Sequence, residues 1–170
     1  MAGFANITQV GEGFAGTGVN VAHVNTVLGR KGSPLEAAWA TALATPRAGH
    51  VPFVVVLRPS LPVKPMTLFV NKAELRGERH ERLTWGAAQA GVAAGVAQAV
   101  QEGIVPPGDS DELLLIAAVW VSRDADDEEE VFLNNQRATH AELDAGARLL
   151  PDIAEVLAAA DAPANPYFRR

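Results

Sequence analysis

The glycine-containing helical segment at residues 84–102 most constrains how this chain can fold. It reads TWGAAQAGVAAGVAQAVQE, and Thr84 is a candidate for its capping residue. Gly86, Gly91 and Gly95 each disfavour a helix by roughly 1 kcal/mol relative to alanine. Such small residues usually let another backbone come close. We therefore expect this helix to pack tightly against the sheet or against a neighbouring subunit.

Two segments rich in β-branched residues precede this helix near the N-terminus. We predict strands at residues 7–10 and 19–28, joined by a turn in the sequence GEGFAGTG, whose glycines permit positive φ. Side chains alternate between the two faces of a strand. His23 and Asn25 are therefore expected side by side on one face of the second strand.

The remaining pattern predicts further strands at residues 51–57, 67–75 and 113–121, and further helices at 34–45, 135–150 and 153–160. The acidic run at residues 124–130 favours a helix N-terminus, so we interpret it as a solvated cap rather than a metal site. This order of elements predicts an α+β fold, a two-layer sandwich of one mixed sheet with helices on one face.

Length and composition restrict the class of protein. A chain of 170 residues suits one domain, which we place at residues 1–160 and follow with a mobile tail at 161–170. The absence of cysteine excludes disulfides and thiolate metal sites. The net charge of −6 argues against nucleic-acid binding. We find neither a secretory signal nor an apolar run long enough for a membrane span, and expect a cytoplasmic protein with no membrane partner.

Histidines are the main candidates for chemistry, because no nucleophile elbow, phosphate loop or metal-ligand motif is present. His80 and His140 have polar neighbours and are predicted to be exposed, while His50 is a candidate turn or rim residue. His23 differs because it lies inside an apolar strand beside the polar Asn25. From spacing alone, it is either a functional residue or a hydrogen-bonded core histidine.

Five segments in colinear order are similar to the formaldehyde-activating enzyme family. They lie at residues 11–29, 32–44, 57–72, 86–106 and 113–121, and the sequences VAH and LPVKP within them are distinctive. The resemblance covers residues 7–150. It implies a fold like the second domain of ribosomal protein S5 and a homopentamer with sites between neighbouring subunits. No metal is expected, because metal-ligand motifs are absent from the sequence. The implied activity is that of a hydro-lyase-type enzyme, which condenses formaldehyde with tetrahydromethanopterin, or a related reduced pterin, and releases water.

The resemblance also implies individual site residues. His23 matches the histidine of the family and would act as a general acid, because imidazole gives and regains a proton near neutral pH. Five further positions match those that bind the pterin. Lys72 and Gln89 are retained. The three changed positions are Val54 in place of leucine, Asn25 in place of aspartate, and Glu74 in place of threonine.

These substitutions leave more than one interpretation open. Loss of a carboxylate at Asn25 is expected to lower the pKa of His23. Either Glu74 now carries the displaced negative charge, or selection on the site has relaxed. Asn135 stands where the family has an aromatic ring, which bears on pterin binding. The alternatives to an enzyme are a non-catalytic oligomeric homologue that binds a pterin or an aldehyde, and a pentameric scaffold without a ligand.

Overall fold

A mixed five-stranded sheet organises the structure, a computed structural model that describes residues 8–168. The strand order is β1-β2-β7-β6-β3, and β4 and β5 form a separate pair. The β2–β7 pairing is antiparallel and the β6–β7 pairing is parallel. The strands are β1 (Gln9–Ala15), β2 (Ala22–Arg30), β3 (Phe53–Val54), β4 (Val56–Arg58), β5 (Leu61–Pro62), β6 (Met66–Asn71) and β7 (Leu113–Trp120). The predicted α+β class with a mixed sheet is confirmed.

Five α-helices are present among the described residues: α1 (Pro34–Ala44), α2 (Gly77–Arg82), α3 (Gln89–Gln101), α4 (Glu128–Ala147) and α5 (Ile153–Ala159). A π-helical segment, Leu83–Ala88, joins α2 to α3, so the predicted helix at 84–102 belongs to a longer helical stretch. Helix α4 begins earlier than predicted. The Asp127 side chain accepts a hydrogen bond from the Glu130 N–H at 3.0 Å, which confirms that the acidic run caps a helix.

Helices α3 and α4 cover one face of the sheet and enclose the main core. Its largest fully buried side chains include Leu28, Phe69, Leu83, Leu115, Leu143, Val92 and Val96. The position of helix α1 differs from the prediction that all helices lie on one face of the sheet. A Cβ at Gly29 would lie 3.2 Å from the Leu35 side chain, so α1 packs on the face of β2 that also carries His23 and Asn25. The glycine provides the space that Leu35 needs.

Gly91 and Gly95 bring α3 into close contact with α4 of the same chain. A Cβ at Gly91 would lie 2.3 Å from the Phe132 carbonyl oxygen, and one at Gly95 would lie 2.6 Å from the Gln136 carbonyl oxygen. The expected close backbone approach is therefore present. Within one chain, however, the backbone that comes close belongs to a helix rather than to the sheet.

The glycine-rich segment after Val10 is mainly a strand, which corrects the predicted turn. Residues 9–15 pair with β2 in antiparallel register, and the turn is confined to the positive-φ glycines Gly16 and Gly18. Gly11 and Gly13 are needed for another reason. A Cβ at either position would lie within 2.8 Å of a Glu142 carboxylate oxygen on α4. Ile7, the predicted start of this strand, lies outside the described residues.

Two later strands are shorter than predicted. The segment at 51–57 is divided into β3 and β4, with Val55 between them. Strand β6 ends at Asn71, whose Nδ2 donates to the carbonyl oxygens of Gly49 and Ala73, both at 2.8 Å. These bonds fix the bend that follows β6 at Lys72 and Ala73.

His80 is buried, which corrects its prediction as a solvated residue; only 3% of it is exposed. Its Nδ1 accepts from the Arg76 backbone N–H at 3.2 Å, so Nε2 carries the proton and donates to the Val121 carbonyl at 3.1 Å. Both ring nitrogens bond to the backbone. His80 is therefore a structural histidine that joins α2 to the end of β7.

Candidate active site

The face of the sheet opposite α3 and α4 carries a polar cluster at one end. Strand β2 contributes His23 and Asn25, and β1 contributes Phe14 and Glu12, which pair directly across from them. Lys72 follows β6 and extends the cluster across the sheet. The predicted shared face of His23 and Asn25 is confirmed, because both are half-buried while their neighbours Ala22, Val24 and Thr26 are buried.

The His23 ring is held by two residues of β1. Its Nε2 lies 2.8 Å from Glu12 Oε1, within hydrogen-bond distance. The Phe14 ring stacks on the imidazole with centroids 4.0 Å apart and planes inclined by 15°. About a quarter of the His23 side chain remains exposed (24%), so a ligand can reach it. His23 is thus neither sealed in the core nor bonded to the backbone at both nitrogens.

Lys72 completes the cluster from the other side of β7. Its backbone N–H donates to the Val119 carbonyl at 2.8 Å, which continues the β6–β7 register by one residue. Its Nζ lies 3.3 Å from His23 Nδ1 and 3.5 Å from Nε2, and donates a short hydrogen bond to Asn25 Oδ1. The structure therefore brings together His23, Asn25 and Lys72, three of the six predicted site residues.

The charges around His23 act in opposite directions on its pKa. Burial lowers the pKa of His23 below its ordinary value of 6.5, and the Lys72 ammonium lowers it further, whereas Glu12 raises it. Burial also lowers the pKa of Lys72, an effect that Glu12 opposes. Asn25 is not among the causes of this shift, so the expected effect of the lost carboxylate on the His23 pKa stays a prediction.

Aromatic rings border the cluster on the C-terminal side. Tyr167 makes edge contacts with Trp120, at a centroid distance of 5.8 Å, and with Phe14, at 6.5 Å. Tyr167 and its neighbours also line a cavity of about 510 Å³ with the glycine turn at residues 16–18. Residues 161–168 are exposed, and the mobility of the tail stays a prediction.

Glu74 is not bonded to His23 or Lys72 in the contacts that the structure records. Its carboxylate lies 3.5 Å from Arg76 and 3.7 Å from Arg123, and it is more than half exposed. It shares a cavity of about 450 Å³ with Lys72 and Trp120. The carboxylate that contacts His23 is Glu12, so the structure offers a different source of negative charge from the one that the sequence indicated.

Gln89 lies in a second region of the molecule. It is buried on α3, and its Oε1 accepts from the Val56 N–H at 2.6 Å. A pocket of about 340 Å³ lies beside it, lined by Val51, Phe53, Val56 and Trp85. Val54 belongs to the edge strand β3, three strands away from β2. The register places it level with Val27, four residues along β2 from His23, so the two residues are roughly 20 Å apart. Within a single subunit, neither Gln89 nor Val54 lies in the cluster around His23.

Asn135 faces the helix–helix contact rather than the polar cluster. It is 1% exposed, and its Nδ2 donates to the Val131 carbonyl at 2.7 Å. A Cβ at Gly91 would lie 2.9 Å from its Cβ. Position 135, where the family has an aromatic ring, therefore lies on the far side of the sheet from His23 in this chain.

Sequence reasoning missed Glu12 and Phe14. The available signal was the alternation in Gly11-Glu12-Gly13-Phe14, in which small residues occupy one face of a strand and larger ones the other. Glycine is also typical of turns, and the turn interpretation hid this alternation. Only the pairing of β1 with β2 shows that the larger side chains lie next to His23.

Glu142 is buried behind β1, on the opposite side from His23. Burial raises its pKa from an ordinary value of 4.5 to about 7, the Glu12 charge raises it as well, and a hydrogen bond with the Glu12 backbone opposes them. The protonated form thus stabilises the folded state fully below about pH 4.5, and this contribution is lost as the pH rises to about 7.

We expect Glu142→Gln to become less destabilising, or more stabilising, as the pH rises. Between about pH 5 and pH 8 its effect on the free energy of unfolding should change by about 1–2 kcal/mol in the stabilising direction, because the amide stays neutral. Urea unfolding of both proteins at the two pH values measures this difference. If the substitution changes the free energy of unfolding by the same amount at both pH values, the buried carboxyl does not titrate in this range.

Residues 8–168 contain no group of three or more histidine and acidic side chains arranged to hold a metal ion. Among these residues, no helix combines the length and the apolar character needed to cross a bilayer.

The family model of the formaldehyde-activating enzyme matches residues 10–168. This chain belongs to that family. It is 36% identical over 160 residues to the 5,6,7,8-tetrahydromethanopterin hydro-lyase of Methanosarcina barkeri, covering 94% of this chain and 90% of that protein. It is 37% identical over 162 residues to the bifunctional enzyme Fae/Hps of Archaeoglobus fulgidus, covering 95% of this chain but 41% of the relative. The recognised family resemblance is confirmed.

Proposed function

We propose that this member of the formaldehyde-activating enzyme family condenses formaldehyde with tetrahydromethanopterin or a related reduced pterin, as a cytoplasmic enzyme that needs no metal. The observation that carries the proposal is the His23 imidazole, partly exposed at one end of the sheet face opposite α3 and α4 and held between Glu12 and Lys72. The family match over most of the chain, and the hydro-lyase name of a relative covered over 90% of its length, support the same reaction.

In this reaction His23 acts as the general acid. Attack of a pterin nitrogen on formaldehyde forms a carbon–nitrogen bond, and the proton of that nitrogen moves to the former carbonyl oxygen, which becomes a hydroxyl. His23 gives a proton to that hydroxyl, the carbon–oxygen bond breaks and water departs, leaving an iminium. The second amine nitrogen then attacks the iminium carbon to close the methylene bridge, and its proton restores protonated His23. Formaldehyde reacts with such amines unaided, so positioning of the pterin contributes alongside proton transfer.

We propose that Asn25, Lys72 and Glu74 bind the pterin from one subunit, while Val54 and Gln89 bind it from a neighbouring subunit. The reason is their separation within one chain, where Val54 lies roughly 20 Å from His23. The exposed Val51 and Trp85 beside Gln89 are suited to an interface. The family resemblance implies a homopentamer. Each subunit would be one domain, spanning residues 1–160, with the fold of the ribosomal protein S5 second domain.

The test is a comparison of cofactors. Purified protein is mixed with formaldehyde and tetrahydromethanopterin, and separately with tetrahydrofolate, and the absorbance change is compared with the spontaneous rate. We expect acceleration with tetrahydromethanopterin. Pterin binding without acceleration would favour the non-catalytic binding homologue instead. Neither binding nor acceleration with either cofactor would remove the proposed function for these substrates.

A further inference from the structure

We infer that Glu12 is the positioning residue of His23, holding the ring through Nε2 so that Nδ1 is the nitrogen that delivers the proton. This inference rests on the proposed role of His23 as general acid. Its structural basis is the contact of 2.8 Å between Glu12 Oε1 and His23 Nε2. It adds a residue to the site that neither the sequence pattern nor the substituted family motif indicated.

The strand register makes this contact possible. Glu12 pairs with Asn25 and Phe14 pairs with His23 across β1 and β2, so Glu12 and His23 are diagonal neighbours on the same sheet face. Phe14 stacks on the imidazole at 4.0 Å and limits its rotation. On the opposite face of β1, the side chain of Glu142 occupies the space beside Gly11 and Gly13. β1 therefore presents Glu12 to the ring from a packed strand.

The hydrogen-bonding capacity of each group determines the proton's position. A carboxylate only accepts hydrogen bonds, so the contact with Glu12 requires a proton on His23 Nε2. In the neutral ring this leaves Nδ1 as the acceptor, and the Lys72 ammonium, which only donates, lies 3.3 Å from it. The transferable proton of the imidazolium is therefore the one on Nδ1.

Glu12 also provides the carboxylate that Asn25 lacks. Asn25 is neutral and accepts from Lys72, so it does not stabilise a positive charge on His23 directly. Among residues 8–168, the ionisable groups that face the ring are Glu12 from β1 and Lys72 after β6. Tyr167 from the C-terminal segment contacts Phe14, and Glu142 lies behind β1. Among the groups facing the ring, Glu12 is the one that favours the imidazolium, and it opposes the effects of burial and Lys72.

The experiment follows the imidazole signals of His23 by NMR in the full-length protein. In the wild type, we expect neutral His23 to be protonated at Nε2. Glu12→Gln should lower the His23 pKa by about one unit, because an opposite charge in contact is lost. Glu12→Asp, which keeps the charge on a shorter side chain, should recover part of this shift. An unchanged pKa in Glu12→Gln, or a wild-type ring protonated at Nδ1, would overturn the inference.

A matched control uses another carboxylate–histidine contact. Glu102 Oε2 lies 2.7 Å from His140 Nε2, in a surface pair that joins α4 to the end of α3. Glu102→Gln removes a charge of the same kind, and we expect the His23 titration to stay unchanged. A His23 shift equal to that in Glu12→Gln would show a general charge effect and contradict the inference. Circular dichroism confirms that each variant is folded.

The pH profile connects this contact to the reaction. A general acid works in its protonated form, so activity should fall as the pH rises through the His23 pKa. In Glu12→Gln this fall should move to lower pH by the shift that NMR measures, with a larger loss of kcat at about pH 8 than at about pH 6. If the wild type shows no activity, the proposed function fails, while the NMR titration still decides the role of Glu12.

Discussion

Replacing His23 by alanine is expected to lower kcat about 100-fold after the spontaneous reaction is subtracted. The alanine variant lacks the proposed general acid, while the proposed pterin ligands Lys72 and Asn25 remain. KM should therefore change less than kcat. Initial rates over a range of pterin concentrations measure both quantities. Because uncatalysed condensation continues, the residual rate should approach the rate without protein.

Two further variants separate proton transfer from packing. His23→Gln keeps hydrogen-bonding groups beside Glu12 but carries no acidic proton, so it should lose as much kcat as the alanine variant. His140→Ala removes a half-buried histidine from α4, on the other side of the sheet, and should retain the wild-type rate. Wild-type kcat in His23→Gln would mean that His23 only supports the ligand. An equal loss in His140→Ala would point to general destabilisation.

Replacing Gly91 by alanine is expected to reduce the free energy of unfolding by about 2 kcal/mol. The new Cβ would lie 2.3 Å from the Phe132 carbonyl oxygen, and a backbone atom of a packed helix cannot rotate away as a flexible side chain can. Helices α3 and α4 must therefore separate, which disturbs the buried Val92 and Val96 beside the sheet. The helix propensity gained from alanine, about 1 kcal/mol, offsets only part of this cost.

Gly86→Ala is the matched control in the same helical stretch. A Cβ at Gly86 would meet no heavy atom within 4 Å among the residues that the structure describes. The same chemical change should therefore stabilise the protein by up to about 1 kcal/mol. Urea unfolding at one protein concentration compares the two variants, since any oligomer makes stability depend on concentration. Similar effects of both substitutions would contradict close α3–α4 packing as the cause.

The fold was predictable wherever a local rule was sufficient. The alternation in β2 predicted the face of His23, and the proline after Ser33 predicted the start of α1 at Pro34. The acidic run predicted a helix N-terminus because carboxylates favour the positive end of the helix dipole. These rules involve residues a few positions apart. Their geometry does not depend on how the elements pack.

Predictions were wrong where one residue type fits two environments. Glycine suits both a positive-φ turn and a strand pressed against another side chain, so Gly11 and Gly13 were assigned to a turn. The charged neighbours of His80 suggested solvent exposure, yet its ring is buried between the Arg76 and Val121 backbones. In both cases, burial by an element distant in sequence decided the outcome.

The sequence alone determined the family, the α+β class and the identity of the candidate acid, because these depend on motifs and on short-range periodicity. Tertiary structure decided which groups surround that acid. Glu12 and Lys72 are 11 and 49 positions from His23, and they reach it through the β1–β2, β2–β7 and β6–β7 registers. Strand register is set by hydrogen bonds and packing across the whole sheet, so local sequence could not identify the carboxylate beside His23.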